Sequence, residues 1–199
     1  SALPGAREEL EKLFSTHDDP AEGYRVRDVC LYGLAECERS LILADFLRRG
    51  DIAGAGRLMD LSHEGDRVTV LDDSGVRVPY DSGVNDADLD RLIEASQSPD
   101  PEIREAALLA LQPGGYAASC AELDEIVDIA RSVDGVYGAG LIGAGLGGCV
   151  EAIVDDGAVE NLRNALITQY FEKHERDPFI EVMAPVEGAC AVELPEFQQ

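Results

Sequence analysis

The stretch Gly138-Ala139-Gly140-Leu141-Ile142-Gly143-Ala144-Gly145-Leu146-Gly147-Gly148-Cys149 decides how the rest of the chain is read. It lies between apolar Val136-Tyr137 and the β-prone run Val150-Glu151-Ala152-Ile153-Val154. Glycine is costly inside a strand or helix, so this density implies backbone that approaches something closely or takes a positive φ. Amides with no Cβ in front of them are good partners for phosphate oxygens. Two readings follow: a phosphate-facing loop, or glycines that only let two strands turn tightly against a neighbouring helix.

Known glycine-loop designs narrow the choice. A P-loop needs GxxxxGK followed by Ser or Thr, and no lysine lies near. Gly143-x-Gly145-x-x-Gly148 fits GxGxxG, but that fingerprint requires a helix to begin at the loop. Here a short, partly β-branched run leads to Asp155-Asp156-Gly157, which predicts a strand and a turn.

Strand, glycine loop, strand, helix, in the order GAxxxGxGxGGC, resembles the third motif of the GHMP small-molecule kinases, most closely in the galactokinase branch. Its members carry SCPELD, a helix, then GVYGARMTGGGFGGC. This chain has Ser119-Cys120-Ala121-Glu122-Leu123-Asp124, a helical stretch, then Gly135-Val136-Tyr137-Gly138 and the loop. Ala35-Glu36-Cys37-Glu38 resembles the family's AECE, and Gly50-Asp51, Gly56-Arg57-Leu58-Met59 and Leu61-Ser62-His63 resemble its GD…GxLMxxSH segment. The resemblance runs over residues 24–192. It implies the C-terminal domain of a larger kinase over 1–199, with the ATP-binding N-terminal half absent. Nothing like GxGLSSSAA occurs here, and the chain opens Ser1-Ala2-Leu3-Pro4 without an initiator methionine.

The implied activity is transfer of the γ-phosphoryl group of ATP, with Mg2+, to a sugar hydroxyl. No catalytic residue and no metal ligand is expected in this chain, and the fragment alone is expected to be inactive. Gly143, Ala144, Gly145, Leu146, Gly147 and Gly148 would pack beside the phosphate loop of the other half, giving close backbone approach and shape. The family's sugar-contacting tyrosine stands seven residues before the AECE cysteine, where this chain has Cys30, with Tyr24 and Tyr32 on either side. Those three are the sugar-side candidates. Gly33 and Leu34 replace the family's paired arginines, and Gly140 and Ile142 replace Arg and Thr of GARMTG. These departures imply weak binding of galactose or preference for another sugar. The alternative from the same family is a non-catalytic sugar-sensing or dimerisation module.

Composition narrows the partners. A formal charge of −24 over 199 residues repels nucleic acid and anionic membranes. No apolar run approaches the ~20 residues of a membrane helix. The five cysteines fit no disulfide framework and the three histidines no metal-ligand spacing. A reduced, cytoplasmic protein is the expectation. Cys30 and Cys37, seven apart, are expected on the buried face of a helix.

The fold class expected is α+β, a ferredoxin-like antiparallel sheet with a helical bundle. Helices are predicted over residues 4–15, 24–49, from the cap Asp51 through Leu61, after a cap at Asp86, and from Pro101 to Leu111. Val68–Leu71 and Val76–Val78 read as a small hairpin. A helix over Ala121–Val133, two strands around the loop, a helix over Val159–Lys173 and a strand over Phe179–Met183 follow, with Ala189–Val192 as one more short strand.

Overall fold

The computed structural model describes residues 6–16, 18, 23–143 and 145–184. Helix α1 (Ala6–Phe14) keeps Leu10, Leu13 and Phe14 exposed. Helix α2 (Val26–Arg48) turns Asp28, Ala35 and Arg39 inward. Cys30 and Cys37 do share a face, but it is the exposed one. Apolar residues decorate both sides of α2, so spacing identified a shared face without saying which side is buried. The buried Arg39 is held by Glu36 at 2.6 Å and donates to the carbonyls of Ala110 and Gln112 at 3.0 and 2.9 Å. That satisfies a charge which would otherwise be costly to bury.

Helix α3 (Ile52–Asp66) begins at Asp51, whose Oδ1 accepts the Gly54 N–H at 2.8 Å. It runs past the expected end at Leu61 because His63, Gly65 and Asp66 are buried there. Burial outweighs the roughly 1 kcal/mol a helical glycine costs. The hairpin β1 (Thr69–Leu71) and β2 (Arg77–Pro79) forms as predicted, with Val70 opposite Val78. Helix α4 (Asp86–Ser96) is capped by Asn85 rather than Asp86, in a reciprocal capping box with Asp88. Helix α5 (Pro101–Ala106) is shorter than expected, and a 3₁₀ turn at Leu109–Leu111 follows it.

Helix α6 (Ala121–Arg131) leads into β3 (Val136–Ile142), which pairs antiparallel with β4 (Cys149–Val154) from Ile142↔Cys149 to Val136↔Val154. Helix α7 (Val159–Leu166) then continues as a π-helical turn through Phe171. Val127 and Ala130 of α6 pack on Ala139 of β3, with Val150, Ala152 and Leu162 around them. Fully burying Val127 contributes about 1.5–3 kcal/mol. On the other side of β3 lies α3, at backbone contact. A Cβ on Gly56 would come 2.1 Å from the Tyr137 carbonyl oxygen, and one on Gly138 would come 2.1 Å from that of Gly56. Arg131 clamps the same layers, pairing Asp60 at 2.7 Å and donating to the Ala139 carbonyl at 3.1 Å.

The class is α+β. Among the described residues each sheet has two strands, β1–β2 and β3–β4. The strand expected over Phe179–Met183 is not formed, and Phe179 and Met183 are each 78% exposed. A strand needs a ladder of partners as well as an apolar pattern. The segment leading into α6 spends its amides elsewhere: Tyr116 N–H donates to Gly65 O at 2.7 Å and Ser119 N–H to Asp66 O at 2.9 Å. The expected strand over Ala189–Val192 lies outside the described residues.

Candidate functional site

The loop joining β3 to β4 is built from backbone in the left-handed half of φ. Gly143, Gly145, Gly147 and Gly148 have φ of +98°, +85°, +122° and +113°, and Leu146 joins them at +58°. No helix begins here, so the dinucleotide-binding arrangement is excluded. The glycines of this segment divide into packed and open positions. Gly138 and Gly140 serve packing, against Gly56 and against Met59 and His63. Gly145 also packs: a Cβ there would sit 2.4 Å from the Ala118 carbonyl oxygen. Gly143 and Gly147 are different, because a Cβ on either would meet nothing within 4 Å. Among the described residues the N–H groups of Gly145, Gly147 and Gly148 have no protein acceptor. Open backbone donors without side chains are what a phosphate oxygen needs. Ala144 lies outside the described residues.

Leu146 fixes the loop to the body of the domain. Its N–H donates to the Ala118 carbonyl at 2.6 Å, while its side chain stays 86% exposed. Beside it lies a cavity of about 820 Å³, walled by Cys120, Leu123, Cys149, Val150 and Leu166.

Through Ala118 the loop connects to an aromatic pair. Tyr116, two residues earlier, stacks on Tyr32 of α2 with ring centroids 5.3 Å apart and planes 12° apart. The Tyr32 hydroxyl donates to Asp66 Oδ2 at 2.8 Å. Burial, followed by the Asp66 charge, pushes the Tyr32 phenol above its ordinary value. Burial likewise raises the Asp66 carboxyl, against the lowering effect of the Tyr32 hydrogen bond. The pair is joined by the Tyr32 hydroxyl hydrogen bond.

A second buried unit supports β3 from below. Leu141 N–H donates to His63 Nδ1 at 3.2 Å, which leaves the ring proton on Nε2, facing Asp124 Oδ1 at 3.3 Å. Asp124 Oδ2 accepts from Val68 N–H, Thr69 N–H and Thr69 Oγ1 at 3.1, 2.7 and 2.8 Å. Burial alone would raise the Asp124 carboxyl. Hydrogen bonds from His63, Ser119 and Thr69 outweigh it and hold the group well below the usual carboxylate range. His63 and Asp124 are 1% and 0% exposed, so they join elements and cannot reach a substrate.

Of the sugar-side candidates, only Tyr32 is brought to the loop, through Tyr116 and Ala118. Tyr24 is exposed before α2 with its ring 5.4 Å from Phe14, and Cys30 faces outward. Tyr116, Asp66 and Ala118 escaped the sequence reading. No local signal marks Tyr116, since its partner lies 84 positions away and is chosen by the path of residues 113–118. Among the described residues no cluster of three His, Cys, Asp or Glu could hold a metal ion, and no helix is long and apolar enough to cross a membrane.

Comparison with known proteins accords with this geometry. Residues 84–173 match the family GHMP kinases C terminal. A galactokinase of Dictyostelium discoideum is 34% identical over 86 residues, which is 39% of this chain and 17% of that protein. A galactokinase of Saccharomyces cerevisiae is 36% identical over 89 residues, covering 40% and 17%. The human galactokinase is 28% identical over 164 residues, covering 81% and 29%. The chain thus spans less than a third of the length of these relatives. Over residues 84–173 it is similar to the C-terminal region of the GHMP kinases, and these relatives are galactokinases.

Proposed function

We propose that this chain is the C-terminal half of an ATP-dependent sugar kinase that moves the γ-phosphoryl group of ATP to a sugar hydroxyl. The observation that carries the reading is the left-handed backbone of Gly143, Gly147 and Gly148, open at Gly143 and Gly147, with no protein acceptor among the described residues for the N–H groups of Gly147 and Gly148, within the residues 84–173 that match GHMP kinases C terminal. Such donors suit the oxygens of a triphosphate, so Gly147 and Gly148 would face the phosphates of bound ATP. ATP supplies the phosphoryl group, and Mg2+ offsets its charge. On this reading the ligands of that ion lie in the N-terminal half.

The work of this chain is positioning. Gly145 against Ala118 and the Leu146–Ala118 hydrogen bond set the height of the loop, and His63 with Asp124 holds the strand that feeds it. Positioning of this kind accounts for much of the barrier reduction in phosphoryl transfer. The partner is the N-terminal half of the same kinase, the substrate a small sugar, and the site of action the cytoplasm. Sugar-dependent ADP formation is the test, measured for the full-length kinase and for the 199-residue chain alone. The full-length protein is expected to turn over and the chain alone to be silent. Comparable turnover by the isolated chain would overturn the two-halves reading, and sugar binding without turnover by the full-length protein would favour the sensing module.

A further inference from the structure

Tyr116 is an exposed aromatic held rigidly beside the glycine loop. The residue is 53% exposed, one face of its ring is taken by Tyr32, and among the described residues its hydroxyl has no hydrogen-bond partner. The backbone around it is over-determined. Tyr116 and Ala117 both donate their N–H groups to Gly65 O, at 2.7 and 3.1 Å. Ala117 is held at φ +55°, a conformation alanine rarely adopts. Gly114, at φ +66°, lies so close to α2 that a Cβ would come 2.4 Å from the Tyr32 nitrogen. Tyr32 is itself tied to buried Asp66. Strained backbone of this sort persists where surrounding contacts enforce it, and it gathers at ligand-holding positions.

Its place in the fold fits a ligand too. Ala118, whose carbonyl receives the Leu146 N–H, is two residues on, so Tyr116 stands within about 7 Å along the chain of the point where the glycine loop docks. A flat ring with a negative face and a free hydroxyl suits a molecule that has a C–H surface on one side and hydroxyls at its rim. A pyranose has both.

We propose that Tyr116 is the platform on which the C–H face of the acceptor sugar rests, with Tyr32 as the positioning residue behind it. The proposal rests on the sugar-kinase reading above. It places the aromatic contact on the segment before α6 rather than on α2, where Cys30 faces outward.

Steady-state kinetics of the full-length kinase, with sugar and ATP varied separately, test it. Tyr116→Ala should raise the KM for sugar about tenfold to two-hundredfold, as expected for a lost substrate contact, with the KM for ATP within about twofold. Tyr116→Phe keeps the stacked face and should retain most of the affinity. Tyr32→Ala should raise the sugar KM by a smaller factor and leave the ATP KM alone. Thermal melting identifies any variant that fails to fold, and Tyr116→Leu, of similar bulk without a π face, is then read in its place. An unchanged sugar KM, or a rise confined to ATP, overturns the platform. A wild-type enzyme that phosphorylates no sugar at all instead removes the reading on which the platform rests.

Discussion

Gly145→Ala is the substitution that separates a packed loop glycine from an open one. The new Cβ would stand 2.4 Å from the Ala118 carbonyl oxygen and 2.6 Å from the Ala118 Cβ, and the neighbour on the first contact is backbone. The residue would also keep a φ near +85°, which costs an L-amino acid about 1–3 kcal/mol. Relieving the clash means moving residues 145–146 away from Ala118, which breaks the Leu146 N–H bond to that carbonyl, worth about 0.5–1.5 kcal/mol. The sum is about 1.5–4.5 kcal/mol. Gly143→Ala serves as the comparison, because its Cβ meets nothing within 4 Å and only the backbone term applies. Urea unfolding of the 199-residue chain measures both, provided the slope with denaturant is unchanged. Gly145→Ala should lie about 0.5–1.5 kcal/mol below Gly143→Ala. If the two variants unfold at the same midpoint, the packing of Gly145 on Ala118 contributes nothing and the account of the loop's docking fails.

Asp124 makes stability depend on acid. Its carboxyl lies below the ordinary 3.8 in the folded protein, so its contribution is complete above that value and drains away as pH falls through the folded one. Asp124→Asn should therefore melt lower near neutrality and show a shallower loss below about pH 4, and an acid limb as steep as wild type would show that the His63–Asp124–Thr69 unit is not the group responsible. Thiol labelling of the native chain followed by peptide mass spectrometry should modify Cys30, Cys37 and Cys149 well before the half-buried Cys120. Protection of Cys30 and Cys37 would restore the buried-face assignment for α2.

Local chemistry was legible wherever a signal lies within a few residues. Asp51 at the start of α3, the β1–β2 hairpin around Asp72–Gly75 and the strand–glycine–strand order all follow from short-range rules of caps, turns and periodicity. The cap of α4 was misplaced by one residue, since Asn85 and Asp86 are both competent and only the reciprocal bond to Asp88 selects between them. The facing of α2 was not legible. With apolar side chains on both sides, the choice was made by the charged side chains Asp28 and Arg39, which find partners inside at Val84, Ala110 and Gln112.

The sequence by itself determined that a left-handed, side-chain-poor turn would sit between two strands of an α+β domain, because only glycine tolerates that backbone at such density. Resemblance in the ordered motifs around it pointed to the GHMP kinases, whose C-terminal family matches residues 84–173. Tertiary structure alone decided what each glycine is for. Gly138 and Gly140 lie against α3, Gly145 against Ala118, and Gly143 and Gly147 against nothing. It also decided that Tyr116 would stand beside the loop on Tyr32. Those assignments depend on which backbone passes within a few ångströms of a given Cα. That distance is set by chain segments tens of residues away, and no pattern local to the loop encodes it.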